Sequence, residues 1–181
     1  MKITAIILLL SVALSGCAST FEPSETFLSM RGKITRPQAV TILSKVSGST
    51  GANSEAIICQ LGTAYGVDKD TRLEFTESGF SYRAYTKGKF VGEKDGIQYF
   101  EKGYFQKVIP FDEIRVVRIL SYPGTDCRTV KHGKYDYVIA LQNNPFSIAL
   151  SIAVKENDLD QYLAAISSLA DNPRMVQGAG L

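Results

Sequence analysis

Hydrophobic positions along the chain fall into three regimes. Ile3–Leu14 is apolar apart from Thr4 and Ser11. Further on, Ala39, Val40, Ile42, Leu43 and Val46 recur at helical spacing, which predicts a helix over Pro37–Val46. Thr35 and Gln38 match a capping box, Pro37 is tolerated in a first turn, and the Ser47–Asn53 loop ends the helix. From Glu55 to Val154 the period is two. Strands are predicted at Ala56–Leu61, Thr71–Thr76, Gly79–Thr86, Gly96–Phe100, Tyr104–Ile109, Ile114–Leu120, Tyr135–Gln142 and Phe146–Val154. Turn signals separate them at Glu77-Ser78-Gly79, Glu93-Lys94-Asp95-Gly96, Glu101-Lys102-Gly103 and Asn143-Asn144-Pro145. Period 3.6 then returns: Leu159, Tyr162, Leu163, Ile166 and Leu169 form a stripe that Asn157 or Asp158 can cap and Asn172-Pro173 stops.

Within this pattern Phe80, Tyr82 and Ala84 share one strand face, and Ser81, Arg83 and Tyr85 the other. Ile148–Val154 is almost continuously apolar, as expected of a strand covered on both faces. The expected fold class is α+β, with a strongly bent sheet, a C-terminal helix and an extra N-terminal helix. The stretch Val108-Ile109-Pro110-Phe111-Asp112-Glu113-Ile114-Arg115-Val116-Val117 is similar to the strand–turn–strand of bacterial PH-like and GRAM-like domains. That resemblance implies a small antiparallel barrel closed by the last helix. It departs from the family in that the helix lacks a tryptophan and another helix precedes the sheet. Other small barrels, or an α+β sheet with two helices on one face, satisfy the same periodicity.

The first regime is an address. Lys2 precedes an apolar run of about twelve residues, short of the roughly 20 that a spanning helix needs, so it reads as a signal-peptide core. Leu14-Ser15-Gly16-Cys17 resembles the lipobox of bacterial lipoproteins. The resemblance implies cleavage after Gly16 and lipidation of Cys17; an ordinary secretory peptide with an incidental Cys17 is the alternative. Ala18 rather than Asp follows, which by likeness to bacterial sorting rules implies the outer membrane, with the domain expected on its periplasmic side. The expected layout is a signal peptide at 1–16, a lipidated tether at 17–29, one globular domain at 30–171 and a flexible tail at 172–181.

Composition narrows the chemistry. The 181 residues carry 20 Lys+Arg against 18 Asp+Glu, so no strong field favours nucleic acid, and none is expected as a partner. One His and three Cys leave little material for a zinc site or a His-based triad. Cys59 and Cys127 remain after lipidation; a disulfide between them would close a loop of about 69 residues, worth roughly 4 kcal/mol. The alternative is two separate thiols, with Cys59 buried as a small apolar residue. His132, with Asp126 or Asp136 as an orienting carboxylate, lacks a Gly-x-Ser-x-Gly nucleophile and reads as a surface histidine. Asp68-Lys69-Asp70 lacks the Gly and Glu of a calcium loop.

Two surfaces remain. Arg128, Lys131 and Lys134, with Arg115 and Arg118 nearby, are candidate anion ligands for lipid or lipopolysaccharide headgroups. The tyrosines are many for one sheet, and Tyr85 and Tyr104 are the candidate partner face. The sequence thus leads to a non-catalytic module without cofactor or metal, held to the membrane through Cys17. Its expected partner is an envelope protein or other envelope component, with anionic-lipid binding by residues 128–134 as the second reading.

Overall fold

The computed structural model describes residues 19–47, 56–62, 66–67, 71–121, 135–144 and 147–178. The alternating segments build two open sheets. The larger has seven strands in the order β1-β11-β8-β9-β10-β3-β2. These are β1 (Ser19–Thr20), β2 (Val46–Ser47), β3 (Ala56–Leu61), β8 (Val116–Ser121), β9 (Tyr137–Asn144), β10 (Ser147–Val154) and β11 (Arg174–Gly178). The smaller sheet has four: β4 (Gly66–Val67), β5 (Glu74–Phe75), β6 (Gly79–Lys94) and β7 (Ile97–Pro110), with β4, β5 and β7 all pairing to β6.

Helices α1 (Glu25–Met30), α2 (Arg36–Leu43) and α3 (Glu156–Leu169) contribute to one core with the large sheet. Tyr162, Leu163 and Ile166 of α3 meet Ile139, Leu141, Leu150 and Ile152 there. Ile57, Leu120, Tyr135, Val138 and Ala153 form a second, smaller cluster, alternate in β9 and β10 with the first set. Strands β9 and β10 are therefore buried on both faces, as their near-continuous apolar run predicts.

The fold class is α+β, but among the described residues neither sheet closes into a barrel. The barrel expectation fails because the strands split between two sheets, and β11 joins the larger one parallel to β8. The capping box holds: Gln38 Oε1 accepts from the Thr35 N–H at 2.9 Å at the start of α2. Helix α3 begins at Glu156 rather than at an Asn157 or Asp158 cap. Asp136, from beside β9, accepts the Glu156 N–H at 2.9 Å and satisfies one of the orphan donors of its first turn.

Both ends of the chain depart from their expected roles. Residues 17–29 do not form a tether along their described length, since β1 pairs with β11 and α1 packs on α3. Ser24 organises this docking. Its Oγ accepts the Phe27 N–H at 2.9 Å as N-cap and donates to Asp160 at 2.6 Å. Phe27 is buried and meets the Phe21 ring edge-on at 5.7 Å. The expected flexible tail likewise supplies β11, whose Val176 is buried. Both segments are too short and polar to show periodicity; the large sheet supplies the template that orders them.

Candidate functional site: the outer half of the β6–β7 hairpin

The predicted strands Gly79–Thr86, Gly96–Phe100 and Tyr104–Ile109 are parts of one hairpin. Asp95 and Gly96 form its turn with φ of 55° and 76°, as expected for a two-residue Asp-Gly connection. The expected turn at Glu101-Lys102-Gly103 is absent: Lys102 pairs with Lys87 and Gly103 with Thr86 inside the ladder. Two register shifts, between Lys87 and Phe90 and between Phe90 and Gly92, insert extra residues into β6. Gly88 is required at the first, because a Cβ there would overlap the Glu101 carbonyl oxygen.

The inner half of the hairpin belongs to the core. Phe80, Tyr82, Ala84 and Ile109 are buried, and Phe80 packs between Phe75 and Phe111 at centroid distances of 5.9 and 5.8 Å. Among the described residues nothing covers the outer half. Of the seven exposed large hydrophobic side chains among the described residues, six are on this hairpin: Phe90, Val91, Ile97, Tyr99, Tyr104 and Val108. Along β7 no strand among the described residues pairs with the edge away from β6.

Tyr85 and Tyr104, the candidate partner face, are brought together as a cross-strand pair, with ring centroids 6.0 Å apart at 65°. Each ring carries a cation. The Arg83 guanidinium lies 3.9 Å from the Tyr104 centroid, and the Lys102 ammonium 3.9 Å from that of Tyr85. Such contacts contribute about 0.5–1 kcal/mol each at exposed sites and hold the long side chains along the ladder. Phe90 and Phe100 pair at 5.6 Å farther out, and Gln106 donates to Ser81 at 2.8 Å farther in. The face can stack on flat or apolar groups while its cations meet anions. Arg83, Lys102, Phe90 and Phe100 escape sequence reasoning as site residues. Their signal is two-residue spacing through Phe100, Lys102, Tyr104, Gln106 and Val108, interrupted in the sequence only by an apparent turn.

Among the other described tyrosines, Tyr99 is exposed farther out on the hairpin, Tyr82, Tyr135 and Tyr162 are buried, and Tyr137 is half-buried; Tyr65 and Tyr122 lie outside the described residues. Burial pushes the Tyr135 phenol above its ordinary pKa. Cys59 is half-buried against the smaller cluster. Cys17, Cys127, Asp126, His132, and the candidate anion ligands Arg128, Lys131 and Lys134 lie outside the described residues. Arg118 sits on β8 with its Nε buried and without a hydrogen-bond partner among the described residues, and Arg115 precedes that strand, its backbone bonded to Gln142 and Arg174.

Two cavities are less specific. A groove of about 640 Å³ runs between α1, α2 and α3 past Met30, Ile34 and Ile42, and a polar cleft of about 200 Å³ lies between Tyr82, Glu113 and Asn143. Among the described residues no three His, Cys, Asp or Glu side chains group as metal ligands, and no helix is long and apolar enough to cross a membrane. Compared with known proteins, the chain matches no protein-family model, no curated protein and no solved structure.

Proposed function

We propose that the chain is a non-catalytic lipoprotein of the bacterial outer membrane that binds an envelope protein or other envelope component through the β6–β7 hairpin. One observation carries this reading. The hairpin concentrates exposed aromatic and aliphatic side chains, with ordered cations, beside a strand edge that no described strand covers. Two-stranded ribbons gain little from exposed apolar groups in water, whereas an incoming strand or flat ligand would bury them.

The anchor reading rests on Leu14-Ser15-Gly16-Cys17. Pairing of Cys59 with Cys127 belongs to the same proposal, supported by the oxidising compartment that export implies and by these being the two cysteines left after lipidation of Cys17. Kinship with PH-like and GRAM-like domains is likewise carried only as a proposal. It is supported by the Ile109–Ile114 strand–turn segment and by a helix following the β9–β10 pair.

The test is photo-crosslinking of the full-length chain in its own cells. A crosslinkable residue at Tyr104 or Val108 should give one discrete adduct, and the same residue at exposed Glu156 should not. The Tyr104-adjacent adduct should weaken in an Arg83→Glu plus Lys102→Glu background. Equal adducts at Glu156 and at both hairpin positions would sink the assignment.

A further inference from the structure

The register of the large sheet orients the domain. β1 is antiparallel to β11, with Ser19 opposite Gln177, and Gln177 is opposite Ile119 of β8. The N-terminal end of β1 therefore points toward the Gly178–Leu120 end of the sheet. Tyr137, Val154 and Ala56 mark the same end, because Ser121 pairs with Tyr137, Tyr137 with Val154 and Val154 with Ala56. Cys17 is two residues upstream of Ser19, a reach of at most about 7 Å. Docking of β1 and α1 removes the slack that a free tether would have given.

The hairpin is rooted at the other end. Tyr82, Val108 and Ile109 from its inner half line the polar cleft with Gly62, Asn143, Ser147 and Ile148. Gly62 follows the last residue of β3, while Asn143 and Ser147 flank the β9–β10 connection. Tyr137 and Asn144 mark opposite ends of β9, roughly 23 Å apart at the usual rise.

We propose, resting on the lipidation of Cys17, that the Leu120–Tyr137–Val154–Ala56 end faces the anchoring bilayer and that the hairpin is presented on the bilayer-distal side. Its ligand is then met across the aqueous space and is not the anchoring lipid. Ser121, Asp136, Lys155 and Glu156 are exposed at the proximal end.

The chain contains no Trp, so single reporters are unambiguous. Full-length lipidated protein carrying Ser121→Trp or Tyr99→Trp would be reconstituted in phosphatidylethanolamine–phosphatidylglycerol vesicles containing headgroup-linked nitroxide lipid. Ser121→Trp should lose most of its emission and Tyr99→Trp should keep it. A flexible linker inserted between Ala18 and Ser19 should erase that contrast. Quenching of Tyr99→Trp as strong as that of Ser121→Trp, or a contrast indifferent to the linker, would overturn the orientation. Failure of the anchor itself reads differently: wild type would then leave the vesicles as readily as Cys17→Ala, and the orientation would fall with it.

Discussion

The two halves of the β6–β7 hairpin share one pair of strands and one turn, yet differ in what surrounds them. Phe80 and Tyr82 are each 1% exposed, whereas Val91 and Ile97 are 61% and 59% exposed. Apolar character alone does not separate the halves. The difference is cover: β4 and β5 pair with β6 as far as Tyr85, the turn at Phe111–Glu113 meets its base, and no described element pairs with the hairpin strands beyond that point. Hydrophobic side chains stabilise a fold through the water-exposed area they lose, so the inner set stabilises this domain and the outer set adds little to it.

The largest effect should come from the inner half. Phe80→Ala would empty a site between Phe75 and Phe111 and cost about 3–5 kcal/mol in denaturant unfolding, whereas Ile97→Ala should stay within about 0.5 kcal/mol. Equal losses would break the comparison, because they would mean that the outer half is covered in solution. The next effect is local. Gly88→Val should push the strands apart at the Glu101 carbonyl and cost about 1–3 kcal/mol. Hydrogen exchange should then quicken in the outer strands while protection in β9 and β10 persists; uniform quickening would show that the halves unfold as one unit.

Much of the scaffold is legible in the sequence. Ala56–Leu61 is a strand with the bounds its pattern implies, and the Thr35–Gln38 box does start α2. The outer hairpin is not legible. Gly103 and the charged pair Glu101-Lys102 carry the composition of a turn, but pairing with Thr86 and Lys87 outweighs local preference. β1, β2 and β4 are two residues each and have no signature of their own. Of the candidate sites, Tyr85 and Tyr104 were readable because alternation puts each on a strand face. Their cations were not, because contact between Arg83 and Tyr104 depends on cross-strand register.

The tyrosines extend the contrast beyond the hairpin. Tyr135 is buried behind the large sheet, and its raised pKa makes the folded state bind its proton more tightly than the unfolded chain does. This contribution is fully present below the unfolded pKa of about 10 and is lost as pH rises through the higher folded value. Alkaline unfolding should therefore be shallower for Tyr135→Phe than for wild type. Identical alkaline slopes would remove Tyr135 from the titration.

The smallest effect sharpens the comparison most, because it asks whether the exposed ladder is ordered before any ligand arrives. A double-mutant cycle on Arg83→Ala and Tyr104→Phe keeps the ring and is expected to show almost no coupling lost at the hydroxyl. The cycle with Tyr104→Ala should return about 0.5–1 kcal/mol of coupling. Lys102 with Tyr85 should behave alike, at the lower end of that range, since an ammonium is more strongly hydrated than a guanidinium. Coupling in both cycles would mean that the cations are held over the rings in the free protein, so a ligand meets a preorganised face and less ordering entropy is lost on binding. Zero coupling in both would reduce the outer half to exposed apolar ribbon, and the affinity of any partner would then have to come from the uncovered β7 edge.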